Sequence, residues 1–303
     1  MWIAASALVC ILSSSCAPSP TIAGTCPPAS YSRTDLLALR EGGFIVADAT
    51  VRESLALALL ACLGDPDPSL RDGVAFEGLS TWMRTGQLSP ETASEMLDSL
   101  LPRIAPGYPD PEGFERPFVA LVLSEVARMD RVTPFLPPER RDALVDGAVD
   151  FMKGVDDYRG FDERDGWRHG VAHGADLVMQ LSLSPSVDEP ALHRLLEALA
   201  AQVAPPGEHF YVYGEPERLA RAAFWLASRD LVSEADWSDW FAGITDPAPL
   251  PTWDAAFQSQ TGLAKRHDTA AFLLALHLMV SEDASEFTRR LRPGLEDAIR
   301  RVP

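Results

Sequence analysis

The sequence predicts an all-α protein of stacked helical hairpins, a HEAT/ARM-like α-solenoid. Three observations predict it. Apolar residues recur at helical spacing along most of the chain, strand-like alternation is nearly absent, and periodic stretches of 10 to 17 residues are joined mostly by short turns. A closed α/α toroid is the alternative, since it too consists of successive hairpins. No repeat of fixed length stands out.

The chain opens on an apolar run, Trp2 to Leu12, within "MWIAASALVCILSSSCAPSP". Eleven residues rise about 16 Å as a helix, too short to span a bilayer but suited to a signal-peptide core. "LSSSC" resembles a bacterial lipobox, in which Cys16 would be lipidated and become the first mature residue. It departs from that pattern in lacking a preceding Arg or Lys and in carrying Ser13 where Leu is usual. Ordinary cleavage after Ala17 is the rival. We expect a signal peptide over 1–17, a flexible tail over 18–34 and one helical-repeat domain over 35–303. The protein is then exported to the cell envelope and lipid-anchored, facing the periplasm or sitting at the outer membrane. Cys26 and Cys62 remain in the mature chain. A disulfide is open to them in an oxidising compartment, but a buried free thiol at Cys62 is the plainer expectation, because Cys26 falls in the expected tail.

The helices follow in order. Thr50 and Glu53 form a capping-box pattern ahead of "LALALLACL", which Gly64 and "DPDP" end. Ser69 is the expected cap of a helix reaching Arg84, and "SPE" from Ser89 places a cap and then proline at the first position of the next. Further helices are expected over 116–130, 138–153, 167–183, 189–204, 217–230, 234–242, 253–264, 268–281 and 285–300. Ser233 is expected to cap the helix that begins at 234. "LAKRHD", Leu263 to Asp268, is read as a helix junction.

With 26 basic and 44 acidic residues the formal net charge is -18. That excludes nucleic acid, whose phosphates need a basic footprint, and electrostatic docking on anionic lipid. Contact with a membrane is expected only through the N-terminal lipid. The partner is expected to be an envelope protein or a small molecule, with the oligomeric state open.

Chemistry concentrates in "DDYRGFDERDGWRHGVAHGADLVMQLSLSP", Asp156 to Pro185. The charged loop lacks the ligand alternation of a calcium site. The helix after it is expected to start near Gly166, with Asp165 as cap. On such a helix His169, His173, Asp176 and Gln180 share one stripe, while Trp167, Val171, Gly174, Val178 and Leu181 share the opposite one. Gly170 and Gly174 lower helix propensity by about 1 kcal/mol each, which makes sense where another helix approaches closely. Three accounts fit the polar stripe. His169 and His173 could share a zinc-like divalent metal with Asp176 as third ligand or orienting group, and with a donor from His209, Glu217, His267, Asp268 or His277. A histidine beside an aspartate could move a proton to and from a small substrate, with Trp167, Tyr158, Arg159, Asp162 and Gln180 lining the pocket. Or the histidines could hydrogen-bond between helices and fix register. The last is the blandest and needs no ligand.

The stretch "GWRHGVAHGADLVMQL" resembles the signature of the bacterial domain-of-unknown-function family 2785. The matching residues are Trp167, His169, Ala172, His173, Gly174, Ala175, Asp176 and Leu177. The resemblance covers roughly residues 35 to 300 and implies an all-helical fold with HEAT-like packing; it brings no activity, substrate or cofactor. Other residues have plain readings. Glu217 and Arg221, one turn apart, read as a surface ion pair. Trp237, Trp240 and Phe241 read as core, and His277 as a bonded core histidine. The expected function is envelope-associated binding or scaffolding. The alternative is a metal-assisted hydrolase acting on a small or carbohydrate substrate through His169, His173 and Asp176.

Overall fold

A computed structural model describes residues 24–303. The described helices are α1 (Arg33–Glu41), α2 (Ala49–Leu59), α3 (Pro68–Leu70), α4 (Glu77–Arg84), α5 (Pro90–Leu100), α6 (Glu115–Val132) and α7 (Pro138–Gly154). A short hairpin of β1 (Phe161–Asp162) and β2 (Gly166–Trp167) follows. Then come α8 (Gly170–Ser182), α9 (Glu189–Val203), α10 (Glu215–Ala227), α11 (Glu234–Ile244), α12 (Gln260–Glu282) and α13 (Glu286–Arg301).

These helices form two rows. In the first, α4 packs on α6, α6 on α8, α8 on α10 and α10 on α12. In the second, α7 packs on α9, α9 on α11 and α11 on α13. Hairpin partners such as α7 and α8, or α12 and α13, join the rows. The result is a HEAT/ARM-like α-solenoid. Among the described residues no extensive packing joins α1 and α2 to α12 and α13, so the array is open and not a toroid. One contiguous apolar core runs between the rows, from Leu36 to Ala298. Trp237 and Phe241 are buried in it, and Trp240 packs its edge against Phe272. No described helix is long and apolar enough to cross a membrane.

Several ends are set as the residues dictate. Ser89 accepts from Thr92 N with Pro90 following, and Ser233 accepts from Asp236 N. Between α6 and α7, buried Asp130 accepts from Phe135 N, Leu136 N and Arg141 Nε, which fixes the turn. Other ends differ from expectation. Asp48, not Thr50, caps α2, and the Glu53 carboxylate accepts instead from Ser89 N. Asp67 replaces Ser69 as a cap, because Pro68 then takes the first helical position. "LAKRHD" does not break the chain. α12 runs through it over 23 residues, since Lys265, Arg266 and His267 fall within one turn at least partly open to water and Asp268 turns inward to accept from Tyr211 N at 2.9 Å. Trp253–Gln258 is a separate 3-10 turn.

Cys26 and Cys62 form a disulfide, with Cα atoms 5.0 Å apart. The free thiol expected at Cys62 is thereby corrected. The reason is that residues 26–34 are not loose. Tyr31 N donates to Pro28 O, and Ser32 forms a capping box with Asp35 at the start of α1. The lipobox, Cys16 and the rest of the apolar leader lie outside the described residues.

Candidate functional site

The polar stretch does not begin a helix at Gly166. Asp162 Oδ1 accepts from Arg164 N and Asp165 N, closing a tight turn, and Gly166 follows at φ +74°. A side chain at Gly166 would be strained there and would also meet Pro68 and Arg71. The chain therefore runs as a hairpin, with Phe161 opposite Trp167. Arg168 N and His169 N continue the pairing to Gly160 O and Arg159 O. His169 then turns into the left-handed region, φ 60° and ψ 40°, and becomes the N-cap of α8. A histidine in that conformation is strained and is held by its surroundings. Asp165 does not cap; its carbonyl accepts from Arg71.

The hairpin changes the faces. Trp167 no longer lies opposite the histidines. Its ring stacks on His169, with centroids 4.7 Å apart, and His169 meets His173 edge-on at 5.7 Å. Gly174 marks the opposite side of α8, where a side chain would collide with Met152 and Phe151 of α7. At its far end Arg229 donates to the carbonyls of Ser182, Ser184 and Val187, the position where helix carbonyls favour a cation.

Trp167, His169, His173, Asp176 and Gln180 all line one cleft of about 600 Å³. Its other walls come from the turn before α4 and from α4, α6 and α10. Asp72 and Phe76 stand in a π-helical stretch, Arg71–Phe76, a distortion of the kind often found at functional sites. α4 adds Glu77 and Arg84; α6 adds Phe118, Leu121, Ser124 and Glu125; Tyr213 and α10 add Arg218 and Arg221. Tyr158, Arg159 and Asp162 lie elsewhere. Tyr158 stacks on His209 and donates to Val155 O, Arg159 pairs with Asp157, and Asp162 holds the hairpin turn. The pair expected between Glu217 and Arg221 does not form; instead Arg218 is bonded to Asp176 beside the histidines. Sequence reasoning missed Arg84 and Glu125, a buried-carboxylate pair. A lone Glu125 amid the apolar turns of "FVALVLSEV" was its one signal.

His169 and His173 are 8% and 7% exposed, and one nitrogen of each ring, His169 Nε2 and His173 Nδ1, has no hydrogen-bond partner among the described residues, while the Tyr213 and Pro117 main chains engage the rings from the other side. His169 Nε2 lies 3.7 Å from Glu215 Oε1, too far to bond. Burial pushes the His169 pKa down to about 4, with Arg218 adding to the fall and the Tyr213 main chain opposing it. Burial lowers His173 as well, with neighbouring His169 and Arg218 adding to the fall and a hydrogen bond to the Pro117 main chain opposing it. Burial raises Asp176 against the pull of Arg218. Both imidazoles are neutral at pH 7.

This donor set does not fit a metal. Among the described residues no group of three His, Cys, Asp or Glu side chains could hold one. Asp176 is occupied by Arg218, and the expected extra donors lie apart. His209 stacks on Tyr158, His267 meets Phe210 edge-to-face, and His277 is half-buried beside Ser281.

The neutral rings also set a pH dependence. Their folded pKa values lie below the unfolded value of about 6.5, so the unfolded chain binds more protons between about 4 and 6.5. The stability they allow is complete above that range and is lost as pH falls through it. We expect the melting temperature to drop from pH 6.5 to 4. His173→Leu should blunt that drop and leave the pH 7 value equal or higher, by up to about 2 kcal/mol, because it removes a buried nitrogen with no partner. Scanning calorimetry across pH checks this; a large loss for His173→Leu at pH 7 would restore the structural account.

A family model described as "Protein of unknown function (DUF2785)" matches residues 108–278. The chain belongs to this family. The DUF2785 match is narrower than the 35 to 300 expected from the motif; it begins before α6, ends within α12 and includes all of α8. The cleft wall from Asp72 to Arg84 lies outside it. No curated protein and no solved structure matches the chain.

Proposed function

We propose that this DUF2785 member is a non-catalytic binding protein of the cell envelope that holds a small molecule in the cleft between α4, α6, α8 and α10. One observation carries the reading. Two neutral imidazoles are buried at the wall of a roomy cleft, and one nitrogen of each, His169 Nε2 and His173 Nδ1, is unused by the protein. Buried polar groups are ordinarily paired, and leaving one unpaired costs about 1–3 kcal/mol. A ligand that uses them offsets that cost. The same neutrality favours binding over acid–base chemistry, since a general base works best with a pKa near the working pH. Metal-assisted hydrolysis lacks the donor set it needs.

Export and a lipid tether at Cys16 belong to the same proposal. The apolar leader supports them, and so does the Cys26–Cys62 disulfide, a bond that persists in oxidising compartments. Thermal-shift screening of the mature chain with small neutral, cationic and anionic molecules tests the binding role. At least one class should raise the wild-type melting temperature and leave the His169→Ala/His173→Leu variant unmoved; failure of every class overturns the binding role. Mass spectrometry of the mature N-terminus should find lipidated Cys16, and an unmodified chain starting at Pro18 would defeat the tether.

A further inference from the structure

The charges around the cleft are matched one for one, with a single remainder. Asp72 is held by Arg71 at 2.7 Å, Glu77 by Arg40 at 2.9 Å, Glu125 by Arg84, and Asp176 by Arg218. Arg221 lines the cleft, is exposed and makes no ion pair or hydrogen bond with a described residue. Each carboxylate lining the cleft thus has an arginine partner, two of them (Arg71 and Arg40) reaching in from outside the lining, and Arg221 is the cleft's one cation without a described partner, in a chain whose net charge is -18. Around that charge the walls divide. Phe76, Phe118, Leu121 and Met179 are apolar, while Arg221 and one buried nitrogen each of His169 (Nε2) and His173 (Nδ1) are polar groups without described partners.

We infer that the cleft binds a small amphiphilic carboxylic acid as its anion, the carboxylate drawn by Arg221 and the two imidazoles, and the apolar body set against Phe76, Phe118 and Leu121. This rests on the binding role proposed above and names its ligand class. A lone carboxylate satisfies the one free cation and needs no second. A doubly charged phosphate would face Asp72, Glu125 and Asp176 with too little compensation, and a neutral molecule would leave Arg221 unused.

Proton uptake accompanies binding. His173 faces His169, Arg218, Arg71, the Pro117 main chain and the ring of Phe118; His169 faces Trp167, Arg218, the Tyr213 main chain and Glu215. Arg218 and burial keep both rings neutral in the free protein, and an incoming carboxylate opposes both effects. Affinity should therefore rise as pH falls from 7.5 to 6.

Isothermal titration of the mature chain with benzoate and octanoate, against benzyl alcohol and inorganic phosphate, tests this. The acids should bind at least about tenfold more tightly than either comparator, more tightly at pH 6 than at pH 7.5, and at least about tenfold more weakly to Arg221→Ala. That variant should keep the wild-type melting temperature, since Arg221 holds nothing in place. Equal binding of benzyl alcohol, preference for phosphate, an unchanged Arg221→Ala affinity or a pH-independent affinity would overturn the inference. If neither acid binds while another class stabilises the chain, the inference fails and the binding role stands. If no class binds, both fail.

Discussion

Replacing Arg71 with methionine is expected to lower the unfolding free energy by about 3–5 kcal/mol. The guanidinium is fully buried, a state an arginine tolerates only when its donors are used. Nη1 donates to Asp65 O and Nη2 to Asp165 O, and Nε lies 2.7 Å from Asp72 Oδ1. The cation also stands over the rings of Phe114 and Phe118, 4.1 and 5.0 Å from their centroids. One side chain thus joins the loop before α3, the hairpin before α8 and the start of α6. Methionine keeps much of the packing but leaves Asp72 as a half-buried carboxylate without its cation. Burial already pushes Asp72 up to about 6 with Arg71 present, so the variant should bind a proton there more readily and lose less stability at pH 5 than at pH 8. Urea melts at the two pH values check both statements; a loss under 1 kcal/mol at pH 8 would mean that the three segments hold together without it.

Reducing the Cys26–Cys62 bond, or replacing both cysteines with serine, should cost about 3–4 kcal/mol. The bond closes a loop with a sequence separation of 36, and its effect arises mainly from restricting the unfolded chain. Cys62 itself is fully buried, so serine also places a hydroxyl in an apolar site. A paired measurement, reduced wild type against the double variant, separates the two contributions. Equal stability of oxidised and reduced wild type would remove the disulfide from any account of this fold.

Much of the fold was legible because helix periodicity is a local property. The phase of apolar residues and the caps at Ser89 and Ser233 depend only on near neighbours in sequence. The hairpin before α8 was not legible in this way. "GWRH" has the spacing of a helix start. What sends it elsewhere is the Asp162 turn, the positive φ at Gly166 and the grip of Arg71 on Asp165 O, a contact spanning 94 residues. The site divides likewise. Spacing placed His173, Asp176 and Gln180 on one side of a helix, and they share the cleft. Arg84, Glu125 and Arg218 arrive from other helices, and only packing brings them there. Tyr158 and Arg159 are near in sequence but are drawn off by His209 and Asp157.

The disulfide has a consequence beyond stability. Ten peptide steps separate Cys16 from Cys26, a leash of at most about 35 Å when fully stretched. With a lipid on Cys16, the body is moored at Cys26 and not at some later point where the chain happens to leave the helices. The whole solenoid would then patrol a shell of that depth above the bilayer, meeting amphiphiles as they leave it.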